Sequence, residues 1–146
     1  MSQKTVVIYG AATMGQELVQ AIATAGCEVI LVDHSEEKLK KGLQKVEASL
    51  DAEIARWGLT SGEKRAIMSR IKGSTDIREA AKGWLVIETL KETLDVKRQL
   101  FKELDATCKP ATIIASNSAT ISITEIASEC KYPERTIAMH FQSPTP

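Results

Sequence analysis

Gly10, Gly15 and Asp33 stand where a polypeptide can take hold of paired phosphates and a sugar. The apolar run Val6-Val7-Ile8-Tyr9 has strand composition and stops at Gly10. A helical pattern opens at about Met14, and a second apolar run, Val29-Ile30-Leu31-Val32, stops at Asp33. Strand, glycine turn, helix, strand and acid in that order make a dinucleotide-binding βαβ unit. Gly10 permits the tight turn out of the strand. The position of Ala12 lets the backbone approach the pyrophosphate, and Gly15 lets the helix lie close against the strand. Thr13 and Met14 open that helix, whose first N–H groups and positive dipole end face the phosphates. An acid at the end of the second strand accepts hydrogen bonds from both ribose hydroxyls and repels a 2′-phosphate, so Asp33 selects NAD over NADP. One position departs from the pattern. Ala12 replaces the middle glycine, and its methyl group is expected to push the pyrophosphate away or tilt the turn, weakening binding without abolishing it. A plain turn between strand and helix is the alternative, but it leaves the acid at that distance without a reason.

Composition narrows the field. The 146 residues are enough for one domain with a real core, and 43% hydrophobic with 26% charged residues is ordinary for a soluble globular protein. Lys plus Arg and Asp plus Glu are each 19, so nothing draws the chain to nucleic acid or to an anionic membrane. No apolar run approaches the ~20 residues of a membrane span. Met1-Ser2-Gln3-Lys4 leads directly into a strand, without the pattern of a signal peptide. Cys27, Cys108 and Cys130 are odd in number and widely spaced, and no C-x-x-C occurs, which argues against a metal site or a redox pair. Free thiols fit a reducing cytoplasm.

The elements that position these residues can be read in order. A first strand covers Lys4 to Tyr9. A helix runs from Met14 to Ala25 with Leu18, Val19, Ile22 and Ala25 on one face, closed by Gly26. After the second strand Ser35 caps a long helix, with Glu36 and Glu37 in its first turn and Leu39, Leu43, Val46, Leu50, Ile54 and Trp57 at helical spacing; Gly58 stops it. Thr60-Ser61-Gly62-Glu63 reads as a capping box opening another helix to about Ile71. Residues 35–71 thus form a helical hairpin, either a structural insertion or a binding arm. A short connection or edge strand follows at Gly73 to Asp76, then a short helix at Ile77 to Lys82 and a buried strand at Trp84 to Ile87. Next comes a helix from Thr93 to Cys108 with Leu94, Val96, Leu100, Phe101 and Leu104 on its apolar face. Thr112 to Ala115 is a strand, Ser122-x-x-Glu125 a second capping box opening a helix to about Cys130, and Thr136 to Met139 a last strand. Alternating strands and helices predict a Rossmann-like, doubly wound parallel α/β sheet with an inserted helical hairpin. Ligands bind such sheets outside the carboxyl ends of the strands, where Gly10, Asp33, Glu88, Ser116 and His140 all fall.

At this point the chain resembles the N-terminal NAD-binding domain of the L-3-hydroxyacyl-CoA dehydrogenases, the 3-hydroxybutyryl-CoA dehydrogenases among them. The markers are Gly10-Ala11-Ala12-Thr13-Met14-Gly15, Leu31-Val32-Asp33, Leu85-Val86-Ile87-Glu88, Lys97 with Leu100-Phe101, Ser116-Asn117-Ser118 and Met139-His140-Phe141, together with the hairpin. The resemblance covers essentially the whole chain. It implies that His140 is the catalytic base, taking the proton of a substrate 3-hydroxyl while hydride leaves C3 for NAD. An isolated histidine at a strand end is otherwise more often structural. The resemblance also implies that Glu92 and Lys97 serve the nicotinamide side of the cofactor, although by pattern alone they sit in the solvated first turn of a helix. Asn117 matches a polar residue beside the cofactor. Lys41 matches basic residues near coenzyme A phosphates, but among Lys38, Lys40 and Lys45 it reads as part of a solvated face.

Three positions depart from the family: Ala12, Ala119 and Ser143. Ala119 stands where a serine hydroxyl bonds the substrate oxygen. Ser143, in His140-Phe141-Gln142-Ser143-Pro144, replaces an active-site asparagine. Both are therefore substrate-side positions. The glutamate that orients the histidine, and an all-helical second domain that carries homodimer contacts and closes over the acyl chain, are family features absent from residues 1–146. The resemblance thus predicts one NAD-binding domain over 1–146 that is inactive by itself, with an acyl-CoA substrate that Trp57 and the hairpin contact. Two other readings stay open: a related dehydrogenase of a non-CoA 3-hydroxy compound, and a nucleotide-binding module without catalysis.

Overall fold

Val6, Val7, Ile8 and Tyr9 are apolar without alternation because the strand they form is covered on both faces. In the computed structural model, which describes residues 4–143, this strand is β1 (Thr5–Tyr9). It lies in a six-stranded sheet with β2 (Glu28–Val32), β3 (Ile71–Ser74), β4 (Leu85–Glu88), β5 (Ile113–Ser116) and β6 (Thr136–Ala138). The order is β3-β2-β1-β4-β5-β6 with every pairing parallel. The expected doubly wound sheet is therefore present, and its winding reverses between β1 and β4. Tyr9 pairs with Val32 and with Glu88, and Glu88 pairs with Ser116, so the carboxyl ends are level and the residues after them share one edge. Pro144 lies outside the described residues.

The helices are α1 (Thr13–Thr24), α2 (Glu36–Ala55), α3 (Ser61–Ser69), α4 (Leu94–Thr107) and the single turn α5 (Ile123–Ile126), with 3₁₀ segments at Ile77–Lys82 and Pro133–Arg135. One core joins Val6, Ile8 and Leu31 to Leu18 of α1, Val46 and Leu50 of α2 and Ile67 of α3. The other joins Val7, Tyr9 and Val86 to Phe101 and Leu104 of α4 and Ile126 of α5. Cys108 belongs to that second core and Cys130 packs against it. Burial pushes both thiols up to about 11, which leaves them poor nucleophiles at neutral pH.

Several local expectations need correction. The Thr60–Glu63 capping box forms with both of its hydrogen bonds, but the one read at Ser122 does not. The Ser122 hydroxyl accepts from the Thr124 N–H at 3.2 Å, a turn bond two residues on, and α5 ends after one turn instead of reaching Cys130. Val96 is half-exposed whereas Lys97 is fully buried, the reverse of their hydropathy. Trp84 stands ahead of β4, partly exposed, with the Lys4 ammonium 5.0 Å from its ring. Ala25 is the exposed C-cap of α1 rather than part of its buried face. Lys41 pairs with Glu37 at 2.9 Å on an exposed helix face, as its solvated reading expects.

The two longest helices of the nucleotide-side core end in the same way with different residues. After α1, Gly26 N–H donates to Ala23 and Cys27 N–H to Ile22, with Gly26 at φ +98°. After α2, Trp57 N–H donates to Ile54 and Gly58 N–H to Glu53, with Trp57 at φ +62°. Both are Schellman endings, whose left-handed position suits glycine. The glycine after α2 arrives one residue late, so Trp57 takes the left-handed position. Its side chain is 95% exposed and joins no core, contrary to its reading as the last apolar residue of α2. Trp57→Gly is expected to raise stability by about 1 kcal/mol, the cost of holding an L-residue in the left-handed region. Equilibrium urea unfolding checks this, since no buried contact is lost with the indole.

Candidate cofactor site

The turn after β1 is shaped by two glycines with different duties. Gly10 has φ +116°, a conformation that L side chains avoid. Gly15 has ordinary helical geometry, but a Cβ there would lie 1.8 Å from the Gly10 carbonyl oxygen, so α1 can sit this close to β1 only without a side chain. Thr89, just past β4, closes the turn from the other side. Its hydroxyl is shared between the Tyr9 carbonyl at 3.0 Å and the Gly10 carbonyl at 3.1 Å. Below the turn, a Cβ at Gly42 of α2 would come within 2.8 Å of the Ala11 carbonyl, so the hairpin also rests on it. Sequence reasoning missed Thr89 and Gly42. Gly42 had a usable signal, because a glycine inside an amphipathic helix costs ~1 kcal/mol against alanine and marks a close approach.

Ala12 is the N-cap of α1, exposed, at φ −79° and ψ −172°. That is extended backbone open to any residue, so the methyl group does not tilt the turn. No side chain caps α1 and no acid stands in its first turn, while Thr13 is exposed beside Ala12. Helix dipole, exposed backbone and a first turn without an acid together fit the pyrophosphate of a dinucleotide. Asp33 completes this half. Oδ2 accepts the Ala11 N–H at 3.0 Å and Oδ1 the Ser35 N–H at 2.9 Å, with the side chain 6% exposed. The carboxylate thus already ties the end of β2 to the turn of β1, a task not foreseen in the sequence. Each oxygen keeps a further lone pair for a ribose hydroxyl.

The other half is built from the loops leaving β4 and β5. The buried Glu88 carboxylate accepts the Ser116 hydroxyl, the Leu90 N–H and the Lys97 ammonium, each at 2.6 Å. Lys97 is therefore not in a solvated turn but beneath the loops, donating also to the Leu90 carbonyl at 3.0 Å. Glu92 reaches across the edge, with Oε2 accepting the Ser118 and Thr120 hydroxyls, each at 2.8 Å. Asn117 accepts the Phe141 N–H through Oδ1 at 2.6 Å, and its carbonyl faces His140 Nδ1 at 3.4 Å. His140 is exposed at the end of β6. Ala119 is exposed and offers no side-chain donor, while the Ser143 hydroxyl donates to Glu17 of α1 at 2.7 Å. Gly10, Ala12, Thr13, Met14, Gly15 and Asp33 thus gather on one side of the switch point, and Glu92, Asn117, Ala119 and His140 on the other. Sequence reasoning placed Glu88 at the ligand edge but missed its hub role, because its partners Lys97 and Ser116 lie 9 and 28 residues further on.

A family model described as "3-hydroxyacyl-CoA dehydrogenase, NAD binding domain" matches residues 5–146. The chain belongs to this family. The 3-hydroxyadipyl-CoA dehydrogenase of Escherichia coli strain K12 is 38% identical over 143 residues, which cover 98% of this chain and 30% of that protein. The 3-hydroxybutyryl-CoA dehydrogenase of Bradyrhizobium diazoefficiens is 38% identical over 143 residues, covering 98% of this chain and 49% of the other. Among solved structures, (S)-3-hydroxybutyryl-CoA dehydrogenase from Ralstonia eutropha matches with a TM-score of 0.94 at 40% identity, over 99% of this chain and 51% of that one. The chain spans about half or less of the length of these relatives. The cofactor of the family's domain is NAD, which agrees with the fit of the glycine turn and Asp33. Among the described residues, no helix is long and apolar enough to cross a membrane.

Burial pulls the Glu92 carboxyl upward, but the hydroxyls of Thr120 and Ser118, the Lys97 charge and the Thr120 N–H together hold it below the usual glutamate value. A lowered folded value means that the contribution to stability is present above the unfolded value and is lost as pH falls through the folded one. Wild-type protein is expected to be more stable than Glu92→Gln at neutral pH, with the difference shrinking as the pH falls below the usual glutamate value and through the lowered one. Thermal unfolding of both proteins across that range checks it.

Proposed function

We propose that this chain is the cofactor domain of an NAD-dependent dehydrogenase that moves hydride between C3 of a 3-hydroxyacyl-CoA and the nicotinamide, with His140 as the base. The observation that carries the reading is the position of His140. An exposed imidazole stands at the carboxyl edge with the glycine turn, and its Nδ1 faces the Asn117 carbonyl at 3.4 Å. When bound, NAD supplies the hydride acceptor. Gly10, Ala12, Thr13, Met14 and Gly15 hold the pyrophosphate at the start of α1, and Asp33 takes the adenosine ribose. Glu92 and Asn117 border the nicotinamide side, with Lys97 behind them. Donation of Nδ1–H to Asn117 leaves Nε2 bare to receive the proton of the substrate hydroxyl.

The acyl-CoA substrate, the hairpin with Trp57 as its contact, a C-terminal helical domain and homodimer assembly complete the proposal; this chain covers 30% and 49% of two relatives, which leaves length for such a domain in a longer chain. Three free thiols among the described residues suit a cytoplasmic setting. A second reading, a related dehydrogenase acting on a 3-hydroxy compound without coenzyme A, is supported by the substrate side. Ala119 has no side-chain donor, and the Ser143 hydroxyl is engaged with Glu17.

Titration calorimetry is expected to show NAD binding more tightly than NADP, and Asp33→Ala is expected to narrow that preference; equal affinities in the unaltered protein would remove the role given to Asp33. For the full-length protein, kcat/KM with 3-hydroxybutyryl-CoA is expected to rise when Ala119→Ser and Ser143→Asn are combined. One restored donor is typically worth about 10²–10³ in rate, and the two changes should not be additive. A parent already at ordinary enzyme rates, with no gain in the double variant, would show these two positions to be dispensable.

A further inference from the structure

His34 follows Asp33 directly, and the two side chains differ sharply in exposure. That of His34 is 76% exposed against 6% for Asp33, and its Nδ1 stands 3.6 Å from Asp33 Oδ1. The separation is too long for a hydrogen bond but within the reach of an ion pair. The Asp33 oxygens already accept the Ala11 and Ser35 N–H groups, so the carboxylate is fixed in place with the imidazole at its side. The other charges of this corner do not favour an anion. The positive dipole end of α2 is offset by Glu36 and Glu37 in the first turn. Lys38 follows them, and Lys41 is paired with Glu37 at 2.9 Å. The end of β3 adjoins Asp33, whose N–H donates to the Ser74 carbonyl at 3.2 Å. Just past it, Asp76 holds the Arg78 guanidinium through hydrogen bonds of 2.8, 3.0 and 3.1 Å, so this cation is neutralised where it stands. Of the residue types gathered here, histidine alone ordinarily changes charge between pH 5 and 8.

We propose that His34 makes the discrimination between NAD and NADP depend on pH. NADP differs from NAD by a phosphate on the ribose 2′ oxygen, and sites that take NADP place an arginine near it. While His34 is neutral, the Asp33 carboxylate stands unopposed, accepts from the ribose hydroxyls and repels the phosphate. Once His34 is protonated, a cation 3.6 Å from Asp33 offsets that repulsion, and the imidazolium N–H groups become donors for the phosphate oxygens. The histidine then does the work of an arginine, but only at low pH. NAD carries no charge at the 2′ oxygen, so its affinity changes little with the same proton. The inference rests on the reading of Asp33 as the acid that receives the ribose.

The test measures Kd for NAD and for NADP by titration calorimetry at about pH 8.5 and about pH 5.5. It uses the full-length protein unaltered, as His34→Gln and as His34→Arg. His34 is exposed, so both variants keep the fold, which thermal unfolding at each pH verifies. A phosphate monoester takes up a proton of its own in this range, and all three proteins share that effect. The expected result is a ratio of Kd for NADP to Kd for NAD that falls, as the pH is lowered, about tenfold further in the unaltered protein than in His34→Gln. His34→Arg is expected to show the narrowed ratio already at the higher pH. Ratios that move together in the unaltered protein and His34→Gln, or a full preference for NAD in His34→Arg at the higher pH, would overturn the proposal. No preference for NAD in the unaltered protein at the higher pH would remove the reading of Asp33 itself, and the proposal with it.

Discussion

The Gly10 carbonyl oxygen occupies the space that any side chain at position 15 would need, and much of the nucleotide edge depends on that contact. It sets the distance between β1 and α1. At that distance Leu18 and Val19 of α1 lie in the same core as Val6 and Ile8, and the start of the helix points across the carboxyl ends of the strands. Thr89 and Gly42 press on the same turn from β4 and α2, so three separate elements agree on one position for it. The turn is rigid because its walls belong to the fold and not to a free loop.

Two buried carboxylates extend this logic to either side of the switch point. Asp33 follows β2 and Glu88 ends β4, the strands that flank β1. Each accepts a backbone N–H from an adjoining turn, Ala11 in one case and Leu90 in the other. Strand-end turns carry backbone groups that no ladder satisfies. A carboxylate at that place answers them. Asp33 keeps lone pairs for a ligand, whereas Glu88 is consumed by Lys97 and Ser116. The same side-chain chemistry thus leaves acceptor capacity open on one side and is spent on rigidity on the other.

The strands were legible in the sequence because a parallel sheet covered on both faces demands unbroken apolar runs, and Val6 to Tyr9, Val29 to Val32 and Leu85 to Ile87 supply them. The glycine turn and Asp33 were legible because their spacing follows from the dimensions of the βαβ unit. What stayed hidden depends on partners remote in sequence. Lys97 looks solvated until Glu88 is seen beneath it, and Val96 looks buried until α4 is seen to turn it outward. The helix stop at Gly58 failed by one residue because two competing endings differ only in which residue takes the left-handed conformation. The box at Ser122 failed because a serine hydroxyl can bond two residues on as readily as three.

The central place of β1 also governs how the chain can assemble during synthesis. Its two neighbours are β2, which follows directly, and β4, which comes only after the whole hairpin and β3. A nascent chain that has emerged as far as β3 can pair β1, β2 and β3 and cover one face with α1, α2 and α3. The opposite face, with Val7, Tyr9, Ile30 and Val32, waits for α4, and the free side of β1 waits for β4. Until then the growing protein carries an open strand edge next to a bare apolar surface, the combination that recruits other chains. The reversal of winding that creates the cofactor crevice therefore also creates the interval in which the unfinished protein is most prone to aggregate.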